Sequence, residues 1–136
     1  VHHWRSFSAG LAEARRVLRP AGRAVFVDVV APDSAVCDSF LQAIELLRDT
    51  SHVRNYSADE WRRAMIGAGL RPGATTRRRL RLEFASWVAR MRTPPLHVEA
   101  IRALQAQMAA EVTGHFAIEA DGSFTIDTMT MEATPA

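Results

Sequence analysis

Apolar and polar residues recur along the chain with two different periods, and the changes of period mark out its elements. From Ser8 to Leu18, the residues Leu11, Ala14 and Leu18 fall on one helical face, and Pro20-Ala21-Gly22 then stops the helix with a turn. Residues 24–30, Ala-Val-Phe-Val-Asp-Val-Val, are almost continuously apolar and β-branched, which predicts a strand covered on both faces inside a parallel sheet. After Ala31-Pro32-Asp33, the stripe Val36, Phe40, Ile44 and Leu47 predicts a second helix running to Arg48. A polar loop over residues 49–56 leads to Ser57, whose spacing to Glu60 makes a capping box for a third helix through Trp61 and Met65, closed by Gly67 and Gly69. Pro72-Gly73 predicts a turn, and the alternation of Leu80, Leu82 and Phe84 with Arg79, Arg81 and Glu83 predicts a half-buried strand over residues 74–84. A short helix from Trp87 to Met91 ends at Thr93-Pro94-Pro95, and one longer helix carries Ile101, Leu104, Met108 and Val112. Asp121-Gly122, between residues 116–119 and 124–131, predicts a closing antiparallel hairpin.

Strands thus alternate with helices, the order of an α/β protein. With 136 residues, 48% of them apolar, the chain can bury the core of one domain, residues 1–136, and it contains no internal repeat, low-complexity tract or linker that would divide it. Charge excludes more than it suggests. The 17 basic residues, all Arg, are balanced by 15 acidic ones for a formal charge of +2, and Arg77-Arg78-Arg79 with Arg81 fall on both sides of a strand without an aromatic stacking platform. No nucleic-acid surface is expected. The single Cys37 rules out an internal disulfide, and the five histidines do not fall at ligand spacing, so no metal site is expected either. No apolar run reaches the roughly 18 residues of a membrane span. The opening Val1-His2-His3-Trp4-Arg5 has neither an initiator Met nor the basic and apolar regions of a signal peptide; it reads as a cut end, and a cytoplasmic protein without membrane contact is the expectation.

Four stretches together resemble the menaquinone- and ubiquinone-type methyltransferases, the methyltransferase type 11 family of class I S-adenosylmethionine-dependent enzymes. His2-His3-Trp4 resembles the segment just after that family's fourth strand, and Glu13-Ala14-Arg15-Arg16-Val17-Leu18-Arg19-Pro20-Ala21-Gly22 resembles its helix and turn before the fifth. Residues 24–30 would be the fifth strand, and Arg48-Asp49-Thr50-Ser51-His52-Val53-Arg54 with Trp61 resembles a narrower subgroup. Residues 74–84 would be the sixth strand and residues 124–131 the seventh. The resemblance implies a doubly wound, Rossmann-like fold with an antiparallel final strand, present as its C-terminal half. It also implies S-adenosylmethionine as cofactor and a small-molecule methyl acceptor as substrate.

Two departures stand against that pattern. Ala21 occupies the place of the first of two glycines, which narrows the turn geometry. The family's Gly-rich loop after its first strand and the acidic residue ending its second have no counterpart, and Gly67-Ala68-Gly69 follows a helix and cannot replace the loop. S-adenosylmethionine is therefore not expected to bind fully to this chain alone.

Candidate site residues follow from placement and chemistry. The resemblance puts His2, His3 and Trp4 at the carboxyl end of a sheet strand, the edge where doubly wound folds bind ligands, and so toward the cofactor, with His3 also a catalytic candidate. Paired histidines near a chain end can equally be solvated, and Trp4 can equally be a packing residue. His52 and Arg54, with Tyr56 beside them, lie in a polar loop that could present a base and an anion-binding fork, so His52 and Arg54 are candidates for catalysis and all three for acceptor binding. The alternative is a loop whose Arg pairs with Asp49 and whose His is merely exposed. Asp28 interrupts an apolar strand near the same edge and joins the acceptor-binding candidates; if buried, it must be hydrogen-bonded or carry a raised pKa. Methyl transfer from an activated sulfonium needs alignment above all, and a base only where the acceptor must lose a proton, which accounts for the lack of a sharp catalytic motif. The contrasting expectation is a non-catalytic remnant that forms a homodimer through an exposed sheet edge or pairs with a separate N-terminal half.

Overall fold

A computed structural model describes residues 1–136. The elements run α1 (Phe7–Val17), β1 (Ala24–Val29), α2 (Ala35–Arg48), α3 (Ala58–Gly67), β2 (Leu70–Leu82), α4 (Phe84–Arg90), α5 (Pro95–Gln107), α6 (Ala110–His115) and β3 (Phe124–Pro135). Local chemistry sets several boundaries. The Ser6 hydroxyl accepts a hydrogen bond from the Ala9 N–H at the start of α1, and Ser57 and Glu60 form the expected reciprocal capping box on α3.

The three strands make one sheet in the order β1-β3-β2, with β3 antiparallel to both neighbours. The last strand of the chain is thus inserted between the two earlier ones, which run parallel to each other without touching. Side-chain alternation along β3 sends Phe124 and Ile126 into one core, with α2, α4, α5 and α6, and Met129, Met131 and Ala133 into another, with α1 and α3. Helices therefore cover both faces of the sheet. Trp87 and Phe40 anchor the first core and Trp61 and Met65 the second, all essentially inaccessible to solvent.

Four expectations are corrected. β1 is not covered on both faces within a parallel sheet: it bonds only to β3, antiparallel, and Val25 and Val27 remain 50% and 69% exposed. The closing hairpin is absent: β3 pairs with β1 and β2, and residues 116–119 form a loop joined to the start of β3 by the Thr125 N–H donating to the Phe116 carbonyl. The helix expected through residues 101–112 breaks where Met108 and Ala109 turn extended, so that Val112 on α6 reaches the same core as Ile101 on α5. A spacing of four residues is met on either side of the break, so periodicity cannot reveal it. Finally, Pro72-Gly73 lies within β2 at a register shift against β3, and Phe84 opens α4 behind the Glu83 cap, whose carboxylate accepts from the Ala85 and Ser86 N–H groups.

Candidate functional site at the carboxyl end of the first strand

The site is assembled around Asp28, the penultimate residue of β1, whose side chain is 5% exposed. A carboxylate among apolar residues needs donors, and four converge on it. Its Oδ2 accepts from the Val1 nitrogen at 2.9 Å and from the His2 backbone N–H at 3.2 Å; its Oδ1 accepts from the His2 ring Nδ1 at 2.5 Å and from the Val29 N–H at 2.9 Å. Burial works against the charge, but the hydrogen bond from His2, with that from the Val1 nitrogen, outweighs it and lowers the Asp28 pKa to about 2. Of the two outcomes foreseen for a buried Asp28, the structure has the hydrogen-bonded one.

Because ionised Asp28 can only accept, the His2 ring must donate from Nδ1, which leaves Nε2 as the acceptor of its neutral form. Backbone bonds hold this segment in place: the His2 carbonyl accepts from the N–H groups of Val53 and Arg54 at 2.9 and 3.2 Å. That clamp draws the loop after α2 onto the opening segment, and His2, His3 and His52 gather. Their ring centroids lie 4.4 Å apart for His2 and His3, 5.9 Å for His2 and His52, and 6.3 Å for His3 and His52. The His3 Nδ1 meets the Ser51 hydroxyl at 3.0 Å, and its Nε2 lies 4.0 Å from Asp49.

His52 is buried, and its tautomer follows from Gln42. The Gln42 amide nitrogen donates to Asp38 and to the Asn55 carbonyl, so its oxygen must face the ring of His52 and accept from Nε2 at 2.9 Å. Burial, and after it the charges of His2 and His3, lower the His52 pKa to about 4, so the ring is neutral near pH 7. Its Nδ1 is then a bare acceptor, buried without a partner, and both polar atoms of the Asn55 side chain are likewise unpartnered. Glu45 of α2, raised in pKa by burial, completes the surroundings together with Asp49. No set of three or more His, Cys, Asp or Glu side chains in the chain could hold a metal ion.

The remaining candidates lie apart from this cluster. Arg54 bridges Asp38 at 3.2 Å and Glu60 at 3.3 Å, rather than pairing with Asp49, and lines an open cleft of about 340 Å³ with Asp33, Asp38, Ser57, Glu60 and Arg63. Tyr56 stacks on Phe7 with ring centroids 4.0 Å apart. Trp4 packs its indole on Gly10 of α1, so closely that a Cβ there would fall 2.1 Å from the ring. Sequence reasoning missed Gln42, Glu45 and Asn55. Glu45 alone left a sign, a carboxylate beside Phe40, Leu41 and Ile44 on a helix the pattern predicts to be buried.

No glycine of the chain lies in a turn from strand to helix: Gly69, with φ +75°, leads from α3 into β2. The chain thus offers polar groups at the carboxyl end of a strand and no phosphate-type cradle. No helix is long and apolar enough to cross a membrane.

No family model matches the chain. It is 46% identical over 136 residues to the uncharacterized protein YafE of Escherichia coli K12, which covers 100% of this chain and 66% of that protein. It is 34% identical over 94 residues to the uncharacterized methyltransferase YcgJ of Bacillus subtilis strain 168, covering 69% of this chain and 37% of YcgJ. The crystal structure of Bacillus subtilis YcgJ superposes with a TM-score of 0.92 at 27% identity, covering 99% of this chain and 60% of that one. A solved structure from Bacillus halodurans C-125 gives 0.93 at 25% identity, over 99% and 61% of the two chains. The chain therefore spans less than two thirds of the length of these relatives. With its helices on both faces of a sheet and its antiparallel β3, this chain belongs to the class I S-adenosylmethionine-dependent methyltransferase family.

Proposed function

We propose that the protein transfers a methyl group from S-adenosylmethionine to a small-molecule acceptor, and that this chain supplies the transfer end of the site rather than the nucleoside-binding end. The observation that carries this reading is the gathering of His2, His3 and His52 around Asp28 at the carboxyl end of β1, in a chain of methyltransferase ancestry. The unpartnered His52 Nδ1 and Asn55 amide fit a polar ligand there, whereas the glycines fit no phosphate or nucleoside cradle. When bound, the cofactor supplies an activated methyl on a positively charged sulfur. The chain's residues orient the acceptor, keep the His52 ring neutral and accept hydrogen bonds. His3, with its ring anchored on Ser51, and Arg54, with its guanidinium at the neighbouring cleft, are the further groups placed to meet the acceptor.

The test is titration calorimetry with S-adenosylhomocysteine, run on the 136-residue chain and on a chimera that joins it to the part of YafE outside the match. Binding near micromolar affinity by the chimera, with none by the isolated chain, is expected. Binding by neither would overturn methyl transfer, and equal binding by both would overturn the division of the site. A second reading rests on a separate observation, the free edge of β1 with Val25 and Val27 exposed: the chain self-associates there without catalysis. Light scattering distinguishes it, since a monomer that binds S-adenosylhomocysteine in the chimera excludes a purely structural role.

A further inference from the structure

We propose that His2 is the general base of the reaction, positioned by Asp28, and that the acceptor atom is a hydroxyl oxygen; this rests on the methyl-transfer reading above. Three features of the geometry support it. The Asp28 carboxylate holds the ring through Nδ1 while a second bond from the His2 backbone N–H fixes the residue, so ring and main chain are oriented by one group. The ring is 28% exposed at the side chain and its Nε2 has no partner in the chain, so the basic nitrogen is free to meet a ligand. Beside it, the His52 Nδ1 offers a second acceptor nitrogen with no donor. A buried carboxylate holding one imidazole nitrogen and leaving the other free is the arrangement that sets tautomer and orientation for proton abstraction.

A base of this kind selects the acceptor by chemistry. A neutral amine that attacks a methyl gives a stable ammonium and needs no proton removed as the bond forms, and a carboxylate carries no proton to lose. A neutral hydroxyl would give an unstable oxonium, so its proton must leave as the bond forms. The O–CH₃ bond forms while the S–CH₃ bond breaks with its electron pair remaining on sulfur, and the hydroxyl proton passes to His2 Nε2 and then to water. The imidazolium so formed faces Asp28 of β1, Glu45 of α2, His52 of the following loop, and His3 of its own segment. Asp28 acts through His2 and is a positioning residue.

The experiment reads the His2 ring directly, by side-chain ¹⁵N NMR of the 136-residue chain. In the wild type, neutral His2 is expected to carry its proton on Nδ1. Asp28→Ala should return it to the Nε2–H form, and Asp28→Asn, which keeps an accepting oxygen, should restore Nδ1–H. Phenol, as the probe hydroxyl, should then shift the His2 Nε2 resonance several-fold more than benzene or benzylammonium. In His2→Gln, a variant that spares Asp28, the accompanying shifts of His3 and His52 should disappear. An Nε2–H ring in the wild type, or a tautomer indifferent to Asp28→Ala, overturns the dyad; an equal response to benzylammonium or benzene overturns the hydroxyl. Neither readout depends on cofactor, so S-adenosylhomocysteine binding without the dyad, or the dyad without binding, shows which of the two readings has failed.

Discussion

His52 should make the stability of this chain fall as the solution is acidified from pH 7.5 to pH 5, and replacing it should flatten that dependence. In the folded chain its pKa is lowered from 6.5 to about 4, first by burial and then by the charges of His2 and His3. The unfolded chain therefore takes up a proton at this residue well before the folded chain does. Stability contributed by the neutral ring is fully present above about pH 6.5 and is lost as the pH falls toward 4. The complete loss amounts to about 3 kcal/mol, of which about 2 kcal/mol falls between pH 7.5 and 5. Glu45 opposes this trend, because burial raises its pKa and makes the folded chain take up a proton more readily than the unfolded one; that effect builds as the pH falls through the raised value and is complete below 4.5, and being common to wild type and a His52 variant it cancels in their comparison. Asp28 acts lower still, its contribution being lost as the pH falls from 3.8 toward 2. Urea denaturation at pH 7.5 and 5.0, on the wild type and on His52→Gln, isolates the histidine; glutamine keeps a donor for Gln42 and cannot titrate. Equal pH slopes in the two proteins would refute the assignment of a neutral, buried ring.

Three further outcomes test the packing and the caps. Ser57→Ala removes the acceptor for the Glu60 N–H in the α3 capping box and should cost about 1 kcal/mol in the same urea assay. Trp87→Ala, which empties a position packed against Phe84 and Phe124 and beneath the Arg48 guanidinium, should cost about 3–5 kcal/mol, and a loss under 1 kcal/mol would mean that this core is not closely packed. Val27→Lys, on the exposed β1, should leave the denaturation midpoint within about 0.5 kcal/mol of the wild type while reducing any association seen by light scattering.

The elements were largely legible because each rests on a local device. The capping box at Ser57 and Glu60, the turn at Pro20 and the apolar run through β1 act within a few residues, so their signals survive in sequence order. Alternation of strands with helices carried the α/β class, and resemblance the doubly wound fold with its antiparallel last strand. What the sequence could not reveal was which edges the strands would share. In place of the hairpin expected around Asp121-Gly122, β3 pairs with strands whose residues lie 42 to 109 positions away, and local turn chemistry does not weigh such distant pairings. The site divides in the same way. His2, His3 and Asp28 could be singled out at an expected ligand edge, and His52 in a polar loop between two helices. Their meeting depends on the His2 carbonyl accepting from Val53 and Arg54, and their protonation states depend on burial and on Gln42, all of which exist only once the chain has folded. Sequence alone thus determined most of the segments that are helix or strand and which polar residues stand out within them, since both are properties of short stretches. Tertiary structure decided which of those residues touch, because contact and desolvation arise between segments far apart along the chain.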